Sequence, residues 1–300
     1  MTRVRERDIE LADGRTLHVY ETGWRSSRFP IIWHHGTPNV GSPPEPLMRA
    51  AKKAGLRWVS FDRPAYAGST RNRGRSVGSV AADVEQLADA LGLERFAVFG
   101  HSGGGPHALA CAAELSDRVS AVAVSGSLAP YRSQSSDEPD DAGAQAGLDA
   151  EAWFDGMGPI SSASLRAALE GEDRKRAHEE SGGEGIDFGL RDWAALAGSW
   201  AWLATVAAAA VATGIDGIVD DDLAYVAPWG VDLQRVTAPT LVVHGSDDRV
   251  VPVAHARWLA DAVPGATLWE LDGEGHISAL ADDERGTEAA VRWIADVIGL

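Results

Sequence analysis

The sequence predicts an α/β fold, in which a mostly parallel central sheet is flanked by helices and carries an inserted helical cap. Three observations predict it. Short apolar runs alternate with helical segments up to about residue 127, the alternation resumes near residue 237, and the segment between them is helical without a strand-like run. Ligands of such sheets bind beyond the carboxyl ends of the strands, so candidate site residues are sought there.

The predicted strands are short apolar runs that end in small or charged residues. The first two form a hairpin around the turn Asp13-Gly14. Helices are predicted where apolar residues recur at helical spacing. The predicted strands lie at residues 9–11, 16–20, 30–35, 56–61, 96–99, 119–124, 239–244 and 267–271, and the core helices at 45–54, 76–91, 108–113, 253–263 and 284–298.

A change of composition marks the predicted cap, residues 128–236, between the core segments 1–127 and 237–300. A polar linker is predicted near its start, at residues 133–141. Helices are predicted near residues 149–157, 162–178 and 187–213. The large aromatic residues of the cap either line a pocket or pack inside the cap, and both interpretations stay open; these residues are Trp153, Phe154, Trp193, Trp200, Trp202 and Trp229.

The composition and net charge argue against several classes of ligand. The chain has 300 residues, 45% of them hydrophobic, and a formal net charge of −17. This charge argues against binding of nucleic acid or anionic membranes, and against a strongly anionic substrate unless local basic residues override it. No apolar leader opens the sequence, and the single cysteine, Cys111, excludes a disulfide within the chain. We predict a cytoplasmic protein with Cys111 packed in its core.

Gly100, Ser102 and Gly104 match the pattern G-x-S-x-G between an apolar run and a small-residue helix. A serine at the tip of such a turn needs small neighbours, because the chain passes close to it. The helix that follows aims its N-terminal N–H groups at the reacting centre. A dinucleotide-binding pattern, G-x-G-x-x-A, also fits this stretch, but the next strand lacks the terminal acid that such a site needs.

Ser102, an aspartate pair and His276 follow three predicted strands in that chain order. This order and placement resemble the α/β-hydrolase superfamily over nearly the whole chain. The resemblance implies that Ser102 attacks a carbonyl group, that His276 accepts its proton and that Asp248 orients the histidine. Asp247 is the alternative acid, since a shift of one residue in the turn would exchange the two.

Two further segments resemble loops of the same family. Residues 34–38, His-His-Gly-Thr-Pro, look like its oxyanion loop, which implies that the backbone amides of Thr37 and Gly103 hold the oxyanion. Residues 62–69 look like the family loop Asp-Arg-Pro-Gly-Tyr-Gly-x-Ser, with alanines in place of its two glycines. This change bears on the path of the loop and not on the triad. Four histidines are interpreted as structural, the second of them as a pin for the oxyanion loop: His34, His35, His101 and His107.

The sequence thus predicts a serine hydrolase that cleaves a small-to-medium, largely apolar carboxylic ester through an acyl-enzyme on Ser102, without a cofactor or a metal ion. Lactonase, aminopeptidase or amidase, thioesterase, carbon–carbon hydrolase and perhydrolase activities stay open, because fold and triad do not determine the substrate. A catalytically weak homologue that binds a small molecule is the alternative from another class. The expected partner is a small-molecule substrate, and monomer and homodimer both stay open.

Overall fold

The strands of the described residues form one sheet. The computed structural model describes residues 3–23, 25–132, 146–182, 185–282 and 284–300. Its strands are β1 (Val4–Glu10), β2 (Thr16–Thr22), β3 (Phe29–His34), β4 (Leu56–Phe61), β5 (Phe96–His101), β6 (Val119–Ser125), β7 (Thr240–Gly245) and β8 (Thr267–Leu271). Their order in the sheet is β1-β2-β4-β3-β5-β6-β7-β8. The pairs β1–β2 and β2–β4 are antiparallel and the others are parallel, so the predicted mostly parallel α/β fold is confirmed.

The central strands are buried on both faces, and this explains why they read as unbroken apolar runs. Every residue of β4, β5 and β7 is buried. The observed bounds of β4 and β8 match the predicted ones. β1 is longer than predicted because it pairs with β2 along its whole length while most of its side chains remain polar and exposed.

Helices cover both faces of this sheet. On one face α2, α3 and α10 bury side chains such as Val84, Cys111 and Leu259, and on the other face α1 and α12 bury Ala51 and Ile294. Burial raises the pKa of the Cys111 thiol, and its predicted packing in the core is confirmed. The helices are α1 (Met48–Lys53), α2 (Val80–Leu91), α3 (Gly104–Glu114), α4 (Ala150–Phe154), α5 (Pro159–Leu169), α6 (Glu172–Glu180), α7 (Leu190–Ala197), α8 (Trp202–Val211), α9 (Asp216–Val226), α10 (Val253–Ala262), α11 (Ser278–Ala281) and α12 (Thr287–Val297), with 3₁₀ turns at Glu45–Leu47 and Leu233–Arg235.

Helices α4 to α9 lie between β6 and β7, within the predicted cap segment, residues 128–236. The single helix predicted at residues 162–178 is wrong, because α5 and α6 are separate. Gly171 lies between them with φ of 104°, a backbone conformation that favours glycine and interrupts the helix. The division of the chain into core and cap domains stays a prediction, and the predicted linker at residues 133–141 lies outside the described residues.

The single helix predicted at residues 187–213 is wrong as well. It is divided into α7 and α8 at Gly198, whose φ and ψ of −118° and −118° are not helical. The two helices meet at an angle of 92°. Within the described residues no single helix is long and apolar enough to cross a membrane, and only this bent pair reaches the required length and composition together.

Helix α9 lies where the sequence pattern predicts no helix. Its three consecutive aspartates, Asp220, Asp221 and Asp222, are all buried, although such a run reads as a solvated cluster of charges. Buried carboxylates need cationic partners, because burial without a partner is costly. Each aspartate has one that is distant in the chain, and these partners are Arg71, Arg63 and Lys175 respectively.

Candidate active site

Ser102 lies on a strained turn between β5 and α3. Its φ is 54°, in the left-handed region that residues with a side chain rarely adopt. The Ser102 amide donates to the carbonyl oxygen of Ser125 at 2.8 Å, which ties the turn to the end of β6. A Cβ at Gly100 would lie 2.4 Å from the carbonyl oxygen of Gly104, and a Cβ at Gly104 would lie 2.0 Å from that of His34. These close approaches explain both glycines of the G-x-S-x-G pattern.

The Ser102 hydroxyl belongs to a hydrogen-bonded chain with His276 and Asp248. His276 Nε2 lies 2.9 Å from Ser102 Oγ, and His276 Nδ1 lies 2.7 Å from Asp248 Oδ2. The three residues follow β5, β8 and β7, so loops at one edge of the sheet bring them together. Asp247 is exposed and its carboxylate accepts a hydrogen bond from Ser246. The structure therefore places Asp248, and not Asp247, against the histidine.

The surroundings of Asp248 favour its charged form. Burial alone would raise the pKa of this carboxyl, but His276 and His244 outweigh burial and hold that pKa below its usual range. The amides of Val250 and Val251 also donate to Asp248 Oδ1, at 2.8 and 2.9 Å. For His276, burial lowers the pKa and the charge of Asp248 raises it by more, so the pKa lies above its ordinary value. The arrangement stabilises a protonated imidazole beside the serine.

The backbone amides of Thr37 and Gly103 are available as hydrogen-bond donors. Among the described residues neither nitrogen has an acceptor, and both residues line the same cavity as Ser102. Gly103 directly precedes α3, where the unpaired amides and the helix dipole favour negative charge. Two such donors can bind a carbonyl oxygen as it becomes negative.

A buried ion cluster holds the oxyanion loop. Asp221, on α9, accepts hydrogen bonds from the Thr37 hydroxyl at 2.5 Å and from Arg63 Nη2 at 2.6 Å. Arg75 Nη2 and the Tyr66 hydroxyl donate to the same carboxylate at 2.5 and 2.8 Å. Burial opposes ionisation of Asp221, but Arg63 and Arg75 outweigh burial and hold its pKa well below its usual range. One carboxylate thus faces two buried guanidinium groups, which leaves an excess positive charge beside this loop.

His35 and Arg63 tie the oxyanion loop to the loop at residues 62–69. His35 Nδ1 donates to the carbonyl oxygen of Gly36 at 2.8 Å, and His35 Nε2 accepts from the Arg63 amide at 3.0 Å. The Arg63 guanidinium donates to the carbonyl oxygens of His35 and Gly36. Burial lowers the pKa of His35 well below its ordinary value, so the ring is neutral. The structure agrees with the prediction that His35 pins this loop.

Asp192 and Tyr225, both in the cap segment, also hold the site, and sequence reasoning missed them together with Asp221. Asp192 Oδ1 accepts hydrogen bonds from the amides of the two residues after His276, at 2.7 and 2.9 Å, and so holds the histidine loop. The Tyr225 hydroxyl donates to the carbonyl oxygen of Gly103 at 2.8 Å. No sequence signal distinguishes these residues from other polar residues of the cap, because their partners are distant in the chain.

The loop at residues 62–69 follows a path that glycine favours, although it carries alanines. Ala65 and Ala67 have φ values of 75° and 37°. The left-handed region costs a residue with a Cβ roughly 1–2 kcal/mol. The loop therefore has the backbone conformation that glycines at these two positions would favour. The contacts around the loop must compensate for the strain.

We expect the double substitution Ala65→Gly and Ala67→Gly to raise the free energy of unfolding by about 0.5–1 kcal/mol. Glycine relieves the strain, but it also adds entropy to the unfolded chain, which reduces the gain. Urea unfolding measures the difference. The matched control is Ala82→Gly on the exposed side of α2, where glycine is expected to destabilise by about 1 kcal/mol. A destabilised double variant would contradict the expectation.

A cavity of about 410 Å³ lies over Ser102, between the sheet edge and the cap segment. Much of its wall is apolar, from Ile160, Leu165, Ile186, Val211 and Ile218. Its polar wall includes Ser164, Glu179 and Asp222, and both carboxylates pair with the buried Lys175. Tyr225 lines it, but none of the tryptophan and phenylalanine residues singled out in the cap sequence does. Trp153, Trp200 and Trp229 are instead buried in the core clusters.

The strand order and the strained serine between β5 and α3 define an α/β protein built around a nucleophile elbow. A family model of the alpha/beta hydrolase fold matches residues 30–283, and the chain belongs to this family. The resemblance inferred from the motifs is therefore confirmed.

Individual relatives carry different activities in their names. The chain is 29% identical over 273 residues to a non-heme chloroperoxidase of Streptomyces lividans, a match that covers 89% of this chain and 92% of that protein. An esterase from Exiguobacterium antarcticum superposes with a TM-score of 0.69 at 21% identity, covering 97% of this chain and 99% of that one. An enol-lactonase from Burkholderia xenovorans LB400 superposes with a TM-score of 0.67 at 21% identity, covering 98% and 100%. These two structures establish the shared fold.

Proposed function

We propose that the protein is a serine hydrolase that cleaves a small-to-medium, largely apolar carboxylic ester through an acyl-enzyme on Ser102. The observation that carries the proposal is the hydrogen-bonded chain from Ser102 Oγ through His276 to Asp248, with distances of 2.9 and 2.7 Å. An activated serine of this kind is the nucleophile of acyl transfer. The free amides of Thr37 and Gly103, which line the same cavity, supply the two hydrogen-bond donors that stabilise an oxyanion.

The reaction proceeds in two acyl-transfer steps. Ser102 Oγ attacks the ester carbonyl while His276 Nε2 accepts the hydroxyl proton, and the carbonyl oxygen becomes an oxyanion bound by Thr37 and Gly103. The intermediate collapses, the bond to the alcohol breaks, and His276 gives its proton to the leaving oxygen. Water then attacks the acyl-enzyme while His276 accepts a proton from it. Collapse of the second intermediate returns this proton to Ser102 Oγ and releases the carboxylic acid.

The cavity supports a substrate of limited size. Its volume of about 410 Å³ lies within the range of about 300–1,000 Å³ that holds small molecules in proteins. The apolar side chains of the cap segment favour an apolar acyl or alcohol group. On the polar wall, the Lys175 ammonium partly neutralises Glu179 and Asp222, which it contacts at 2.6 and 2.5 Å.

The proposal is tested by covalent labelling with a small, uncharged fluorophosphonate, followed by peptide mass mapping. Wild type is expected to carry the label on Ser102, because only an activated serine displaces the fluoride. Ser161 lines the same cavity and offers a matched control. Ser161→Ala should still be labelled on Ser102. An unlabelled wild type, or a label that maps to another serine, would overturn the proposal and favour the weak binding homologue.

Catalysis is expected to fall as the pH decreases through the pKa of His276, because the protonated ring cannot accept the serine proton. This pKa lies above the ordinary histidine value of about 6.5, since Asp248 outweighs burial. Asp248→Asn removes the charge and leaves the burial, so the midpoint of the His276 titration should move to lower pH. Imidazole proton NMR measures this titration directly. Asp247→Asn is the matched control, and an equal shift in both variants would refute the assignment of Asp248.

Perhydrolysis at the same serine is a second candidate, favoured by the 29% identity to a protein named non-heme chloroperoxidase. Hydrogen peroxide would replace water in the second step, His276 would accept its proton, and the product would be a peroxycarboxylic acid. Incubation with an ester and hydrogen peroxide tests this directly. Peroxyacid formed by wild type and absent with Ser102→Ala would support perhydrolysis, whereas the carboxylic acid alone would leave hydrolysis as the activity.

A further inference from the structure

A second cavity, the basic groove, lies at the amino ends of β3 and β4, away from Ser102. Its volume is about 910 Å³, and it shares no lining residue with the cavity at Ser102. Arg28 lies just before β3, Arg57 lies in β4, and Arg49 and Lys52 lie on α1. Glu45 is the acidic residue among the described residues that line it. The cationic residues of the groove are Arg3, Arg25, Arg28, Arg49, Lys52 and Arg57.

Several of these cations lack the acidic partners that most cations have elsewhere in the protein. Arg28, Arg49 and Lys52 form no ion pair with any described residue. By contrast, the partly exposed Arg118 and the exposed Arg257 pair with carboxylates at 2.7 and 2.5 Å. The chain has 44 acidic and 27 basic residues, so acidic partners are abundant. A concentration of unpaired like charges in one groove therefore gives it a positive local potential.

The burial and incomplete pairing of Arg57 are a second, independent observation. Its side chain lines the groove and the residue is only 9% exposed. Its Nε and Nη1 atoms have no hydrogen-bond partner among the described residues. The nearest carboxylate, Glu21, lies 3.8 Å from Nη1 and is shared with Arg7 at 3.3 Å. The charge of this guanidinium group is therefore incompletely neutralised, and it adds to the positive potential of the groove.

The lining of the groove indicates the chemistry of its ligand. The planar guanidinium groups match the oxygens of a phosphate, and lysine adds a point charge. The excess of cations over acids fits more than one negative charge. Trp202, Met48 and Leu56 also line the groove and offer apolar contact area. The volume of about 910 Å³ lies within the range of small-molecule cavities.

We propose that the basic groove binds an organic anion that carries two or more phosphate charges and an aromatic or apolar portion. The phosphates lie against Arg57, Arg28 and Lys52, and the apolar portion lies against Trp202. At this site local basic residues override the net charge of −17. The site is distinct from the proposed hydrolysis at Ser102 and does not depend on it.

Isothermal titration calorimetry of the full chain with ADP, pyrophosphate and adenosine tests the proposal without an activity readout. ADP is expected to bind saturably, pyrophosphate more weakly, and adenosine not measurably, because charge and apolar contact act together. Added salt should weaken ADP binding, since the exposed charges are screened. Absence of saturable binding by both ADP and pyrophosphate would overturn the proposal, and so would binding of adenosine equal to that of ADP.

Two neighbouring lysines provide a matched pair of charge reversals. Lys52 lines the groove, whereas Lys53 is exposed on the same helix outside it. Lys52→Glu is expected to weaken ADP binding about tenfold or more, and Lys53→Glu less than about twofold, because a charge acts strongly only at short distance. Equal weakening would indicate a general charge effect and overturn the site. Arg57→Gln should also weaken ADP binding. If that buried variant does not fold, the comparison of Lys52→Glu with Lys53→Glu alone tests whether the groove binds the anion.

Discussion

Replacement of Ser102 by alanine is expected to lower kcat for ester hydrolysis by about 10⁶-fold. The change removes the atom that forms the acyl-enzyme in the proposed reaction, together with the hydrogen bond of 2.9 Å to His276. The amides of Thr37 and Gly103 and the walls of the cavity are untouched, so KM should change much less than kcat. Steady-state kinetics on the best substrate of an ester panel measures both values.

The same variant should remain folded, which separates lost chemistry from lost structure. Alanine keeps a Cβ at the φ of 54°, so the strain of the turn is unchanged. The melting temperature is therefore expected to stay close to that of wild type. Ser161→Ala, in the same cavity, controls for changes in the cavity wall. Residual activity of Ser102→Ala above about 1% of wild type would show that another group is the nucleophile.

Replacement of Asp221 by alanine is expected to lower the free energy of unfolding by about 3–5 kcal/mol. The loss is large because Arg63 and Arg75, both buried, would keep their charges without a carboxylate. Asp220→Ala is the matched control, since its partner Arg71 is partly exposed and also contacts Asp216 and Glu172. Water and the other carboxylates can replace part of that ion pair. Urea unfolding of both variants measures the difference, and equal losses would contradict the role given to Asp221.

Asp221→Asn tests whether the same cluster also positions the oxyanion loop. Asparagine keeps the shape of the side chain but removes the negative charge of the carboxylate, whose Oδ2 accepts a hydrogen bond from the Thr37 hydroxyl at 2.5 Å. A displaced Thr37 amide should lower kcat by about tenfold to 100-fold with little change in KM, because the oxyanion forms only during reaction. A purely structural role would lower the melting temperature and leave kcat unchanged in the folded fraction. Pre-steady-state acylation on folded protein distinguishes the two results.

The strands and the residues at their ends were predictable because each signal is local. β4 and β8 are apolar runs with clear boundaries, and their predicted bounds match the observed ones. The turn at Ser102 needs glycines within two residues of it, so the sequence pattern directly reports the close approaches measured at Gly100 and Gly104. The chain order of Ser102, Asp248 and His276 follows from the order of the strands that precede them.

The helices of the cap segment were less predictable because their stability is not local. α9 is held by ion pairs between its aspartates and cations far away in the chain, such as Arg63 and Lys175. A hydropathy pattern places such aspartates at the surface, so it gives no indication of a buried helix here. The breaks at Gly171 and Gly198 depend on how α5 to α8 pack, and glycine alone does not report whether a helix ends at it.

The sequence by itself determined the fold class, the positions of the strands and the candidate nucleophile, because these depend on periodicity and on contacts between near neighbours. Only the tertiary structure decided that Asp248 and not Asp247 contacts His276, and that Asp192 and Asp221 hold the two loops of the site. The physical reason is that the strength of a charge or hydrogen bond depends on burial and on the partner it meets. Both are set by residues that the fold brings together from distant parts of the chain.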